Sequence, residues 1–129
     1  MKLKFIPPPP ETPIHIANVH RTGKIGFTIG AAKHFQINTS KSMALAVNDE
    51  DFTDENIYGQ LIGETSSLKG YKIMKGGEYH SVNAKGFFDT IQLDYSKPIS
   101  FVVTELEVNG TKLIKFTKRE PKNKPNGKK

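Results

Sequence analysis

The chain has no cysteine. Disulfides, thiolate metal sites and cysteine nucleophiles are thereby excluded, and the absence suits a reducing compartment. No apolar run approaches the roughly 20 residues that a membrane-spanning helix needs. The start, Met1-Lys2-Leu3-Lys4-Phe5-Ile6, begins as a secretory leader does, but four prolines from Pro7 interrupt it before an apolar core develops. Apolar residues make up only 36% of the chain, below the roughly 45–50% of an average domain, a reference that also counts glycine. The expectation is a soluble, cytoplasmic protein with no membrane association. At 129 residues the chain suffices for one ordinary domain and is too short for two robust ones.

Signals of catalysis are equally sparse. His15, His20, His34 and His80 include no pair at the i, i+4 helical spacing of a zinc enzyme, and none stands beside the required carboxylate. Asp49-x-Asp51-x-x-Asp54-Glu55 offers oxygen ligands without the glycine and terminal glutamate spacing of a calcium loop, so a solvated acidic hairpin explains it better. Gly23, Gly26 and Gly30 match neither a dinucleotide fingerprint nor a phosphate loop, and no nucleophile elbow is present. The expectation is a protein that is not an enzyme and holds no metal and no cofactor.

The net charge of +6 is unevenly spread. Lys118, Arg119, Lys122, Lys124, Lys128 and Lys129 against Glu120 give residues 118–129 a charge of +5, leaving +1 for everything before them. Asp49, Glu50, Asp51, Asp54 and Glu55 concentrate negative charge in one short stretch, so the remaining surface is distinctly positive. The end of the chain reads as a basic disordered tail, either solubilising or an electrostatic arm for phosphates.

Residues 1–13 read as an extended, proline-rich lead-in, because Pro7 to Pro10 favour polyproline II. A single domain follows over 14–117. Ile14, Ile16 and Val19 alternate as a first strand, and Ile25, Phe27 and Ile29 carry the period-2 signature of a half-buried second one. Thr28 suits the cap of a short helix to Phe35, after which Met43–Val47 and 57–62 flank the acidic loop as a hairpin. Strands over 71–74 and 78–82 surround a tight turn at Lys75-Gly76-Gly77, and Asn83 suits the cap of a second helix through Ile91. Asn109-Gly110, between 99–108 and 112–117, is the strongest hairpin signal in the chain. The fold class is α+β: β-rich, antiparallel hairpins with two short helices, barrel-like.

The same pattern occurs twice. Moving Phe27–Phe35 forward by about 52 positions lands it on Tyr79–Phe87, with Ala-Lys on Ala-Lys and phenylalanine on phenylalanine. After an insertion of about four residues, Met43–Val47 falls on Ile99–Val103. The expectation is two tandem βαββ repeats, about 23–64 and about 71–117, neither of which buries its core alone.

The stretch from Gly23 to Ile37, Gly-Lys-Ile-Gly-Phe-Thr-Ile-Gly-Ala-Ala-Lys-His-Phe-Gln-Ile, followed by Met43 and Leu45, resembles the AbrB/MazE-type swapped-hairpin DNA-binding domains. It departs from that pattern at Thr28 for a usual proline, Ala32 for a usual arginine and Ser40 for a turn glycine. The resemblance covers about a third of the chain. It implies two interlocked hairpin–helix units whose basic residues meet DNA phosphates. Carried across, these are Arg21, Lys24 and Lys33, with Lys72, Lys75 and Lys85 as the second set and Lys118 and Arg119 added from the tail. Loss of the arginine at Ala32 argues against sequence-specific readout more than against backbone contact.

The expected function is a small non-enzymatic DNA-binding protein, a transcriptional regulator in kind, with duplex favoured over single-stranded DNA and homodimerisation left open. Two alternatives stand beside it. One is a structural or protein-interaction module, such as a phage or mobile-element accessory protein. The other is a PC4-like binder of single strands, stacking bases on Tyr58, Tyr71 and Tyr79, since Phe27 and Phe101 alternate into the core.

Overall fold

Alternation sets the inward face of every strand. The computed structural model describes residues 1–8, 14–51 and 53–119. Strand β1 (His15–Val19) turns back into β2 (Lys24–Phe27), which leads into helix α1 (Ile29–Phe35). Strands β3 (Ser42–Ala46) and β4 (Ile57–Ile62) flank the acidic loop. Strand β5 (Tyr71–Gly76) and β6 (Tyr79–Asn83) precede helix α2 (Lys85–Thr90), and β7 (Ile99–Val108) with β8 (Thr111–Lys118) end the fold. The eight strands close into one antiparallel barrel in the order β1-β2-β6-β5-β3-β4-β8-β7. The result is a single β-rich domain with two short helices, in which no described helix is long and apolar enough to cross a membrane.

The barrel interior is filled by Phe27, Phe101 and Phe116, with Ile25, Met43, Ile73 and Val82 around them. The Phe116 ring centroid lies 6.1 Å from that of Phe27 and 6.3 Å from that of Phe101. Aromatic pairs at such separations add to the burial of their own area. Gly59 makes room for this stack, since a Cβ there would lie 3.1 Å from the Phe116 ring. Helix α1 buries Ala31, Ala32 and Phe35. Its Thr28 Oγ1 accepts from the Ala31 amide at 3.3 Å, the expected side-chain cap. In the β7–β8 turn, Asn109 and Gly110 both take positive φ, as the dipeptide foretells.

Four local expectations are corrected. In β1 the buried side chains are Ala17 and Val19, while Ile14 precedes the strand and is 69% exposed. The odd-numbered ladder positions face inward, so the alternation starts from Ala17 rather than Ile14. The cap position of α2 is Ala84, not Asn83; Asn83 Oδ1 instead accepts from the Lys85 amide at 3.3 Å. The β5–β6 turn is Gly77-Glu78 rather than Lys75-Gly76-Gly77, because Lys75 and Gly76 still pair with His80 and Tyr79. Finally, a hairpin precedes each helix and a hairpin follows it, so each half of the chain runs ββαββ rather than βαββ. In that comparison of the halves, the shift of about 52 sets the buried Phe27 on Tyr79, which is 63% exposed.

Residues 1–8 are exposed and without regular structure. The rest of the proline-rich lead-in and the tail from Glu120 onward lie outside the described residues.

Gly23 joins the first hairpin to α2. Its carbonyl accepts from the Ala84 amide and its own amide donates to the His20 carbonyl, both at 2.9 Å. Its φ of +88° belongs to glycine, and a Cβ there would lie 2.6 Å from Lys85 Cβ and 2.7 Å from Lys85 Cα.

Candidate nucleic-acid interface

Three of the eight sequence-derived cations gather around one histidine. His80 sits on β6, opposite Phe27 on β2 and opposite Lys75 on β5. His80 borders two depressions. The first, about 410 Å³, includes Lys24, His20, Gly26 and Tyr79. The second, about 370 Å³, includes Lys33, Lys75 and Glu78. Lys24 opens β2 against Asn83, and Lys33 lies in the last turn of α1, so the two cations border different depressions that have His80 in common. Lys24, Lys33 and Lys75 are all exposed. Gly26 keeps the floor flat, with His20 Nε2 only 3.3 Å from where a Cβ would stand. His80 Nδ1 is buried without a hydrogen-bond partner.

The other cations are placed differently. Arg21 is exposed in the β1–β2 turn, and Lys72 is exposed on β5 opposite Ser42. Lys85 is already engaged: its Nζ lies 3.0 Å from Asp89 Oδ2 and 3.3 Å from the Tyr95 hydroxyl. The hydrogen bond to Asp89 raises its pKa above the usual lysine value, with a further rise from the hydroxyl. Lys118 borders a groove with Asp49, Asp54 and Glu55, among carboxylates rather than with Lys24, Lys33 and Lys75. The Arg119 amide donates to the Ser100 carbonyl at 2.8 Å.

The tyrosines divide in the same way. Tyr79 stands exposed beside Lys24. Tyr71 packs on the core, its ring 6.3 Å from that of Phe87, and Tyr58 donates its hydroxyl proton to Asp54. A row of three stacking tyrosines is therefore not formed. Phe27 and Phe101 are buried, as their alternation implies.

At the acidic end, Asp54 organises the β3–β4 loop. The Tyr58 hydroxyl, the Asn56 amide and the Asn48 side chain all donate to its carboxylate, and together, the tyrosine first, they hold its pKa down at about 2. A carboxyl held below its ordinary value of 3.8 contributes stability that is present above that value and is lost as pH falls toward about 2. Denaturation midpoints of the Asp54→Asn variant should accordingly fall less steeply than the parent's between pH 4 and pH 2.

Among the described residues no group of three His, Asp or Glu side chains is placed to hold a metal ion. His34 and His15 instead stack at 4.4 Å, and His34 Nε2 lies 3.2 Å from Glu105 Oε1. The chain matches no family model, no curated protein and no solved structure. Sequence reasoning overlooked the contributions of His20, His80 and Gly26 to the surface. The signal was present in the alternation, which puts Gly26 on the outward face of β2 between buried Ile25 and Phe27.

Proposed function

We propose that this protein is a non-enzymatic, intracellular binder of duplex DNA, built from two interlocked ββαββ units and acting as a regulator. Phosphates would be held by Lys24, Lys33 and Lys75, with His20 and His80 beside them. The observation that carries the reading is the ladder register. Let Val19 correspond to Ile73, Ile25 to Val82, Met43 to Phe101 and Ile57 to Ile114. The pair Val19–Ile25 then becomes Ile73–Val82, and Ala17–Phe101 becomes Tyr71–Met43. Leu45–Gly59 becomes Val103–Phe116, while Ile57–Phe116 becomes Ile114–Gly59. Exchanging the halves thus returns the same barrel, with a pseudo-dyad between β2 and β6 and another crossing between β4 and β8.

That symmetry favours the swapped-hairpin resemblance, in which one chain supplies both subunits' worth of strands. It also favours duplex DNA as the partner, because the duplex has dyads of its own and two-fold binders use them. Continuing the register by two residues sets Arg21 on Lys75, so each hairpin carries a cation in its turn or near it. Lys24, however, falls on Ser81, which makes the basic face unequal in its two halves. A protein-interaction role is favoured by a separate observation: Leu3, Phe5 and Ile6 are all more than two-thirds exposed.

Fluorescence anisotropy with duplex and single-stranded oligonucleotides tests the reading. Duplex binding should exceed single-strand binding and weaken steeply from low to moderate salt. It should persist when Lys122, Lys124, Lys128 and Lys129 are changed to glutamine. Binding abolished by those four changes alone would favour the protein-interaction role, since a basic tail adheres to any polyanion.

A further inference from the structure

The cavity bordered by the end of α1, by β4 and by the β7–β8 hairpin combines buried apolar residues with cations. Phe35 and Ile114 are buried, Leu61 and Leu113 half-buried, and the space they border with their neighbours measures about 360 Å³. Sites for small molecules run from roughly 300 to 1,000 Å³ and pair an apolar lining with a few placed polar groups. Here the charged ones are Lys41, Lys112 and Glu105, with His34 beside them.

Lys41 is half-buried and Lys112 is exposed, and neither ion pair found among the described residues involves them. Charges taken partly out of water are ordinarily paired. Glu105 is not their partner, because His34 Nε2 meets its Oε1 at 3.2 Å. His34 is itself held in place, stacked on His15 at 4.4 Å and edge-on to Phe35 at 4.7 Å. Two cations therefore border an apolar cavity with no anion assigned to them.

A second cavity, beside the β3–β4 loop, has the same local frame and the opposite charge. Gln36 borders the first and Gln92 the second, each shortly after a helix and at a positive φ of 58° and 60°. The next amide in each case donates five residues back, Ile37 to Ala32 and Leu93 to Phe88, both at 2.9 Å. Where Lys41 and Lys112 border the first, Asp49 and Glu55 border the second. The second cavity thus serves as an internal control for the effect of charge. We infer that the cavity at the end of α1 binds a small organic anion, a carboxylate or a phosphate monoester. Its apolar body would lie against Phe35 and Ile114, and Lys41 and Lys112 would hold its charge.

Amide shifts of the isotope-labelled full chain, titrated with phenyl phosphate and with phenylacetate, test the site. The expected result is saturable movement of the Gln36, Leu61 and Leu113 peaks with at least one of the two anions, and none at Asn56 and Gln92. Which anion acts identifies the head group. The Lys41→Gln, Lys112→Gln double variant should bind it about tenfold more weakly. Benzyl alcohol, a neutral molecule with the same ring, should be weaker by a similar factor, a comparison that needs only the parent sequence if the variant fails to fold. Movement with neither anion, equal movement at both cavities, or movement confined to Lys24, Lys33 and Lys75 would overturn the proposal. Unchanged affinity in the folded variant, or equal affinity for benzyl alcohol, would overturn it too.

Discussion

Gly23→Ala is expected to destabilise the fold by about 2–5 kcal/mol, combining about 1–2 for a side chain at this left-handed φ with about 1–3 for overpacking. Both contributions have a specific origin. The φ of +88° forces a Cβ toward Lys85, and the atoms it meets at 2.6 and 2.7 Å are Cβ and backbone Cα, which cannot swing aside like the end of a side chain. Relief requires moving α2 away from the β1–β2 turn, which stretches the Gly23–Ala84 hydrogen bond. Gly76→Ala is the matched control: its Cβ would meet nothing within 4 Å and its φ is not positive, so a change within about 0.5 kcal/mol is expected. Urea denaturation of the three proteins reads the difference. Equal midpoints for Gly23→Ala and the parent would mean that the turn does not bear on the helix as described.

The second large effect concerns affinity. Reversing Lys24, Lys33 and Lys75 together to glutamate removes three phosphate contacts if the proposed face is the interface. The slope of log affinity against log salt should then shrink by about 2.7, since each phosphate contact on duplex DNA contributes about 0.9. Over a fourfold rise in salt, the variant's binding should weaken about 40-fold less than the parent's. The three lysines are exposed, so thermal unfolding should be little altered. An unchanged slope would move the interface elsewhere. Changing Lys85 should matter less, because Asp89 and Tyr95 already hold its ammonium.

Much of the fold is legible because period-2 alternation and turn chemistry are local. Ile25 and Phe27, the Asn109-Gly110 turn and the Thr28 cap could all be read without knowing what they pack against. The inward face of β1 could not. The apolar residues in and just before it, Ile14, Ile16, Ala17 and Val19, fit either phase, and only pairing with β2 and β7 selects Ala17 and Val19. The match of Phe27 with Tyr79 went astray for a similar reason. Letter matches such as Ala32-Lys33 on Ala84-Lys85 reward identity, whereas a barrel conserves the direction in which a side chain points. Phe27 on Tyr79 sets an inward position on an outward one, whereas Met43 on Ile99 keeps the phase.

The basic surface was half legible. Lys24, Lys33 and Lys75 were named from a resemblance, but Lys24 and Lys75 flank β6 because that strand lies between β2 and β5, and Lys33 shares a depression with Lys75 from α1, both non-local facts. For Lys118, charge alone suggested a companion of Lys24, and its position at the end of β8 puts it with carboxylates instead. Composition records how many cations there are; topology decides their neighbours.

The seam between β1 and β7 has a kinetic consequence. It joins His15–Val19 to Ile99–Val103, among the first and last parts of the barrel to be synthesised. A nascent chain must therefore wait, with the barrel's first strand unpaired on one side, until β7 has emerged. Such distant closure places folding in the slow range of small domains, roughly milliseconds to seconds. The interval before that last seam closes is when the protein is most vulnerable to proteolysis.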